Sequence, residues 1–173
     1  MLVLVSLAGC GYHTLGSAAH LPPDVHTLAI PVFMNQTQFY RTETVMTEAV
    51  QREFTDRTRL TLLTRDGADA DATLHGTILE ETIQPLTYRT DAPSVSSGQN
   101  TSFTSSFLVT INANVTVTAR DGRILYRHTN YLYHTQFETT SDLTSFIEED
   151  SPAVERLSHD FAQALVSDIL ESF

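Results

Sequence analysis

The chain lacks tryptophan and has a single cysteine, Cys10, among its 173 residues. One cysteine cannot form an intramolecular disulfide, so the stability of the fold must come from packing alone. Basic residues are also scarce, ten against 21 acidic ones, and the formal net charge is −11. Because nucleic-acid binding needs clustered Lys and Arg to neutralise phosphates, this balance argues against a nucleic-acid partner. Beyond the first nine residues, no segment approaches the ~20 apolar residues of a membrane-spanning helix.

The N-terminus carries a recognisable processing motif. The apolar run Met1–Val5 is followed by Leu7-Ala8-Gly9-Cys10, which resembles the lipobox of bacterial lipoproteins. We expect residues 1–9 to be a truncated signal segment, since the positively charged start of a signal peptide is missing. Cys10 would then carry diacylglycerol and an N-acyl chain, and several acyl chains give a stable membrane anchor. The alternative is an ordinary buried thiol, a common environment for free cysteine.

The rest of the chain predicts a tether followed by one domain. Gly, Ser and Pro interrupt any regular pattern across residues 10–24, whereas residues 25–173 show strand and helix periodicities and form a single α+β domain. The roughly 160 residues after the leader are enough for one domain with a sizeable core. By resemblance to lipoproteins, Gly11 after the lipidated cysteine favours the outer membrane. We therefore expect a protein that is lipid-anchored there, on the periplasmic side.

Hydrophobic periodicity predicts the element order β-α-β-β-β-β-α. Period-two alternation indicates strands, and a 3.6-residue period indicates helices. This order favours a two-layer α+β sandwich, a mixed sheet of four to five strands with two helices packed on one face. The predicted strands are residues 27–33, 60–63, 73–79, 107–119 and 124–137, and the predicted helices are residues 39–58 and a closing helix that begins at Ser151-Pro152 and buries Leu157, Phe161 and Leu165.

The strand over residues 107–119 has two contrasting faces. Its odd-numbered positions are all apolar, and its even-numbered positions are mostly Thr and Asn. Such a strand belongs to a sheet with one buried face and one polar face. Asp121-Gly122 predicts a tight hairpin turn after it, and an irregular pattern after His128 indicates a bulge or the end of the returning strand.

The composition of residues 84–105 predicts a long loop, because Ser, Thr, Gly, Gln and Asn dominate it. Loops of this length in a compact domain are uncommon and are usually functional or disordered. Tyr88 and Phe103 are its candidate partner-binding residues, because aromatic side chains are favoured at the centre of interfaces. A disordered surface loop is the alternative that the same composition allows.

No arrangement of side chains predicts catalysis or metal binding. The seven histidines form no His-Glu-x-x-His pattern, and His128 and His134, which could share a strand face, lack an acidic partner. Adjacent Glu80 and Glu81 point to opposite faces of a strand and cannot act as a carboxylate pair. We therefore expect no enzyme activity, no metal and no cofactor other than the covalent acyl chains.

Four segments carry a resemblance to a known family. They are Cys10-Gly11-Tyr12, Leu28-Ala29-Ile30-Pro31-Val32-Phe33-x-Asn35-x-Thr37, Thr47-Glu48-Ala49-Val50 and Ala70-Asp71-Ala72-Thr73-Leu74-His75-Gly76-Thr77-Ile78. In this order and spacing they resemble the LptE family of lipopolysaccharide-assembly lipoproteins. The resemblance extends through the paired strands and the closing helix, so it covers nearly the whole chain after the leader.

The resemblance implies an outer-membrane lipoprotein that plugs and helps assemble the β-barrel of the lipopolysaccharide translocon and assists lipopolysaccharide insertion into the outer leaflet. The implied partners are this barrel and lipopolysaccharide itself, and Cys10 is the one functional residue that transfers by position. The net acidity argues against direct binding of an anionic glycolipid. A second interpretation is a lipoprotein adaptor of the curli-secretion or penicillin-binding-protein-activator type, and a third is a membrane-tethered hydrolase.

Overall fold

The computed structural model describes residues 21–65, 69–90, 102–138 and 152–173, so Cys10 lies outside the described residues. The predicted α+β class and element order are confirmed, with one short additional strand. In chain order the elements are β1 (Thr27–Ala29), β2 (Met34–Asn35), α1 (Thr42–Arg57), β3 (Thr61–Leu63), β4 (Ala72–Thr90), β5 (Ser102–Ala119), β6 (Ile124–Glu138) and α2 (Pro152–Glu171).

These strands form one mixed sheet. Its order is β3-β1-β4-β5-β6. Strand β1 pairs with the start of β4 at Ala72 and Thr73, and the additional strand β2 pairs with β4 a few residues later, at Thr77 and Ile78. Strand β1 runs parallel to β3 and β4, and β4, β5 and β6 form an antiparallel meander. A parallel β1–β3 pair needs a crossover connection, and α1 provides it on one face of the sheet.

Both helices pack on the face of the sheet that the odd-numbered residues of β5 line. The alternation of β5 and the 3.6-residue period of α2 therefore identified the core correctly. Fully burying one large aliphatic or aromatic side chain stabilises the fold by about 1.5–3 kcal/mol. The buried residues of β5 and α2 that share one core cluster are Val109, Ile111, Ala113, Val115, Val117, Leu157, Phe161, Ala162, Leu165, Val166, Ile169 and Leu170.

The turn before α1 is organised by Asn35. Its side-chain amide donates to the Phe39 carbonyl at 2.8 Å and to the Glu43 carboxylate at 2.7 Å. Its Oδ1 accepts hydrogen bonds from the N–H and the hydroxyl of Thr37, both at 2.8 Å. Arg41 adopts the left-handed region with φ 65°, and α1 begins three residues later than predicted. The Phe-x-Asn-x-Thr segment is therefore a turn-forming motif.

Residues 84–90 and 102–105 lie in strands and not in the long loop that their composition predicted. Strand β4 continues to Thr90, β5 begins at Ser102, and the two strands stay paired out to these ends. Pro85 lies at a register shift, where the ladder tolerates a residue without an N–H. The prediction was wrong because Thr, Ser and Tyr suit a strand with little apolar alternation to mark it. Residues 91–101 lie outside the described part of the chain.

The β5–β6 hairpin confirms the predicted bulge and the position of the turn. The turn is centred on Arg120 and Asp121, where the Gly122 N–H donates to the Ala119 carbonyl at 2.9 Å. Gly122 follows with a φ of 86° that suits glycine. After His128 the register shifts opposite Asn114, where Asn130 adopts a φ of 55° and donates its N–H to Asn114 Oδ1 at 2.9 Å. Because of this bulge, His128 and His134 lie on opposite faces of the sheet, so the prediction of a shared face was wrong.

Candidate partner-binding face

The side of the sheet opposite the helices carries no helix in the described part of the chain, and we call it the open face. Strand register places residues of β4, β5 and β6 on it in rows that run across the three strands. From the β5–β6 turn outward, the rows are Thr73-Thr118-Ile124, His75-Thr116-Arg127, Thr77-Asn114, Glu80-Asn112-Leu132, Thr82-Thr110-His134 and Gln84-Leu108-Gln136.

The open face is polar but carries little charge. Glu80 and Arg127 are the only Asp, Glu, Lys or Arg residues in the rows given above, and Glu138 follows one row further out, opposite Ser106. Helices α1 and α2, by contrast, carry eight acidic residues and three arginines on the other side of the sheet. Much of the net acidity of the chain is therefore separated from this surface, which offers mainly hydroxyl and amide groups to a partner.

Exposed apolar side chains flank the polar centre of the open face. Met34 of β2 pairs in register with Thr77, which places it on this face, and it is 65% exposed. On the other flank, Leu132 of β6 is 63% exposed and Ile124 is 45% exposed. The open face thus has a polar centre and a few exposed apolar side chains at its margins, which suits a partner whose surface is mostly polar.

The structure places the two predicted partner-binding aromatics in strands and not in a loop. Tyr88 of β4 lies opposite Thr104, and Phe103 of β5 lies opposite Arg89. The two residues are therefore one register step apart, near the end of the β4–β5 hairpin. Sequence reasoning placed both residues in a loop, whereas both lie in paired strands.

The other end of the sheet is held by Asp71, which sequence reasoning did not identify. One oxygen of its carboxylate accepts hydrogen bonds from the His26 N–H at 3.0 Å, the Thr27 N–H at 2.9 Å and the Thr27 hydroxyl at 2.8 Å. Arg120 lies 3.3 Å from the other oxygen. The hydrogen bond from the His26 N–H, followed by those from Thr27, lowers the pKa of Asp71. The Ala70-Asp71-Ala72 segment thus ties the start of β1 to the start of β4.

The beginning of the described chain and the tip of the β4–β5 hairpin lie at opposite ends of the sheet. Asp24 forms an ion pair of 3.5 Å with Arg123 at the β5–β6 turn, and Leu21 is buried in the core. Strand β4 has 19 residues, which correspond to about 60 Å of strand at ~3.3 Å per residue. Leu21 therefore lies at the end of the sheet that is opposite to Thr90 and Ser102.

Glu80 and Glu81 lie on opposite faces of the sheet, as predicted. Glu80 pairs with Asn112 on the open face, and Glu81 pairs with Ile111 on the helix-facing side. Burial raises the pKa of Glu81, while a hydrogen bond from the Thr42 side chain at the start of α1 opposes this shift. Glu81 thus places a carboxyl at a helix N-terminus, where negative charge is favourable.

Two further observations apply to the described ranges alone. They contain no group of three or more His, Cys, Asp or Glu side chains arranged to hold a metal ion. Neither helix in them combines the length and the apolar character that a membrane-crossing helix requires.

Several solved structures share this fold. A Xanthomonas campestris protein of the DUF330 family has a TM-score of 0.56 at 13% identity, with 91% of this chain and 89% of that chain covered. PelC of Paraburkholderia phytofirmans, solved as a dodecamer, has a TM-score of 0.53 at 8% identity, covering 85% and 89% of the two chains. A hypothetical protein of Chlamydia trachomatis has a TM-score of 0.51 at 8% identity, covering 84% and 96%. At these identities the likeness establishes the fold alone.

A comparison with curated protein sequences finds no match. A family model does match: that of LptE, described as lipopolysaccharide-assembly, covers residues 25–169. The match includes the Asn35 turn, the Asp71 segment, the β4–β5–β6 meander and most of α2. The chain therefore belongs to the LptE family and has a role in the lipopolysaccharide transport machinery of the Gram-negative envelope.

Proposed function

We propose that the chain is the lipid-anchored plug of the lipopolysaccharide translocon. It sits in the lumen of an outer-membrane β-barrel, helps that barrel assemble and assists lipopolysaccharide insertion into the outer leaflet. The observation that carries the proposal is the polar, sparsely charged open face. Barrel interiors are polar, and hydroxyl and amide groups can hydrogen-bond to such a wall without the cost of burying unpaired charge.

The dimensions of the hairpin support this placement. The apolar band of an outer-membrane barrel is about 25 Å tall, and the paired strands β4 and β5, with 19 and 18 residues, extend for about 60 Å at ~3.3 Å per residue. The hairpin is therefore long enough to reach through the lumen. Since the chain enters at the other end of the sheet, an anchor at Cys10 in the periplasmic leaflet points the hairpin tip toward the cell exterior.

The distribution of charge also bears on lipopolysaccharide as a partner. The net charge of −11 argued against direct binding of an anionic glycolipid. However, the helices carry eight acidic residues on the far side of the sheet. A phosphate that approaches the open face near the β5–β6 turn meets the row of His75, Thr116 and Arg127. Contact with lipopolysaccharide through this face is thus compatible with the acidity of the chain.

The proposal is tested by placing charge at the centre of the open face. Full-length, lipidated and affinity-tagged chain is purified from outer membranes in detergent, and the recovered barrel is quantified for wild type, Thr110→Glu and Thr116→Glu. Both threonines lie in the middle strand of the open face. We expect both substitutions to reduce barrel recovery while the melting midpoint stays close to that of wild type.

The matched control is Thr55→Glu, the same substitution at an exposed position of α1. It should leave barrel recovery unchanged. Equal recovery for all three variants would remove the open face from the interface. Absence of any barrel with wild type, or recovery of a different envelope protein through the open face, would overturn the plug proposal in favour of an adaptor role.

A further inference from the structure

Strand β6 forms one end of the sheet, and among the described residues it pairs only with β5. From Tyr131 to Glu138 it runs in unbroken register against the segment of β5 from Ala113 back to Ser106. One side of this eight-residue stretch therefore presents backbone N–H and C=O groups that β5 does not use. Such an edge is a template for another strand.

The usual protections of an edge strand are missing from this stretch. Proteins commonly block edges with lysine, proline or a bulge, yet the chain has no lysine at all and residues 131–138 contain no proline. The bulge at Asn130 precedes the stretch and does not interrupt it. Leu132, within the stretch, is 63% exposed. The edge is thus regular, partly apolar and free of positive charge.

Tyrosines of β6 and aspartates of α2 lie together on the helix-facing side of this edge. We call these four residues, Tyr131, Tyr133, Asp160 and Asp168, the Tyr–Asp seam. Tyr131 and Tyr133 pack edge-on against Phe161 of α2, with ring centroids 5.8 and 5.9 Å apart. The Tyr131 hydroxyl is hydrogen-bonded to Asp168, and Asp160 acts electrostatically on Tyr133. Burial, reinforced by these carboxylates, raises the pKa of both tyrosines. The seam therefore combines neutral hydroxyl groups with two negative charges.

The distance between the two aspartates of the seam matches the distance between side chains four residues apart on one face of a strand. Asp160 and Asp168 are both exposed, and two helical turns separate them by about 12 Å. Side chains four residues apart on one face of a strand are about 13 Å apart. Ala164 lies midway between the two aspartates on α2 and is a small residue. A strand paired with β6 would thus bring two of its long side chains to the two carboxylates.

We propose that the edge of β6 and the Tyr–Asp seam bind an extended basic strand of a partner protein, with Lys at two positions four residues apart. Backbone pairing with β6 supplies affinity, and the two aspartates select for positive charge. A second copy of this chain does not fit, because it has no lysine and the same aspartates would repel each other. The Tyr–Asp seam lies on the helix-facing side of the sheet, away from the open face, so it does not depend on the plug function.

The lack of lysine gives a direct test by carbodiimide cross-linking. The reagent joins a carboxylate to an amine as an amide, with loss of one water. Since the chain has no lysine side chain, an amide formed at Asp160 or Asp168 must reach another molecule or the N-terminus. Outer membranes that contain the full-length tagged chain are treated, and the products are identified by mass spectrometry. We expect a heterologous partner whose linked lysines are four residues apart in a strand.

Three variants locate the interaction. The double variant Asp160→Asn/Asp168→Asn should lose the product, and Glu48→Gln/Asp56→Asn should keep it, because Glu48 and Asp56 are exposed on α1 with the same eight-residue spacing. Asparagine also removes the reactive group, so the deciding variant is Leu132→Arg, which leaves both aspartates in place and sets a positive charge on the edge.

Leu132→Arg should reduce the product by about tenfold, which corresponds to ~1.4 kcal/mol, whereas Leu132→Gln should reduce it much less. An equal yield from Leu132→Arg and wild type would overturn the proposal, as would a product made of two copies of this chain, or no product at all. Barrel recovery by Asp160→Asn/Asp168→Asn separates the two proposals, because both aspartates lie on α2, whereas Leu132 lies on the open face. It should be unchanged if the barrel binds the open face alone.

Discussion

Phe33 packs directly on the backbone of Gly76, leaving no space for a side chain there. A Cβ atom at position 76 would lie 2.6 Å from Phe33 Cδ2 and 2.7 Å from its Cε2 and Cγ. Phe33 is 2% exposed, and its N–H donates to the Thr47 hydroxyl at 3.0 Å, so it is held between β4 and α1. Three of the segments that carry the family resemblance therefore meet at one contact.

Gly76→Ala should destabilise the domain. The added methyl group falls well inside van der Waals contact with a buried ring, so the ring or the strand must move, and overpacking of this kind costs about 1–3 kcal/mol. Denaturant unfolding measures the loss. Combining Gly76→Ala with Phe33→Leu should recover part of it, and a double-mutant cycle gives the coupling energy between the two sites.

The control for this cycle is Gly122→Ala. Gly122 has no neighbouring atom within 4 Å of an added Cβ, and its φ is 86°. Its substitution should destabilise through backbone strain, and Phe33→Leu should not compensate. Equal compensation at both glycines would show that Phe33→Leu acts by some route other than the contact with Gly76.

Asp71→Asn should lower the melting midpoint at neutral pH, because it removes the charge that holds the starts of β1 and β4 together. The pKa of Asp71 is lower in the folded than in the unfolded chain. Its contribution is therefore complete above the unfolded pKa and is lost as the pH falls through the folded value. The difference in midpoint between wild type and variant should shrink below about pH 4. Asp56→Asn, at an exposed position of α1, is the control and should leave the melting midpoint close to that of wild type.

Phe161→Ala should cost about 3–5 kcal/mol of unfolding free energy. Phe161 is fully buried and packs on both Tyr131 and Tyr133, so its removal leaves a cavity between α2 and β6. Phe173→Ala, at a position that is 44% exposed, is the matched control and should cost far less. Similar unfolding curves for the two variants would contradict the assigned core.

The sequence predicted correctly those helices and strands that bury one face in the core and expose the other. Alternation along β5 and the helical period of Leu157, Phe161 and Leu165 exist because one side of each element packs in the core. The position of the turn near Asp121-Gly122 was predictable because the backbone conformation of Gly122 favours glycine. Each of these signals is local, and each can be obtained from consecutive residues.

The remaining features depend on contacts between distant residues. The outer parts of β4 and β5, near Tyr88 and Phe103, are strands because each completes the backbone ladder of the other, and their sequence has little apolar period to show it. Thr47 is buried because it accepts the N–H of Phe33, and a threonine on a helix gives no sign of this. The strand order β3-β1-β4 likewise follows from long-range pairing, including the bonds of Asp71, for which no local pattern exists.

Cys10→Ala should prevent stable attachment to the outer membrane. Cys10 is the only residue of the chain able to form a thioether with diacylglycerol, since it is the only cysteine. Fractionation of cells and labelling with radioactive palmitate measure the effect, and Tyr12→Ala is the control that should remain membrane-bound and labelled. A Cys10→Ala protein that fractionates with the outer membrane as fully as wild type would refute lipidation at this site.

Shortening the β4–β5 hairpin should separate folding from barrel binding. The hydroxyls of Thr87 and Ser106 are hydrogen-bonded at 2.7 Å across the two strands, so residues 88–105 can be replaced by Asn-Gly, a pair that favours a two-residue hairpin turn. The core residues that the structure describes all belong to the part of the chain that is kept. We therefore expect the shortened protein to unfold at nearly the same denaturant concentration as wild type.

Barrel recovery should nevertheless fall sharply for the shortened chain, because the part of the hairpin that extends furthest from the anchored end is gone. A second variant, Tyr88→Ser/Phe103→Ser, keeps the length and removes the two aromatic side chains. If these act as anchors in the interface, this variant should lose barrel as the shortened chain does. If only length matters, it should bind as wild type does. Undiminished recovery with the shortened, stably folded protein would exclude the hairpin tip from the barrel contact and leave the open face as its sole basis.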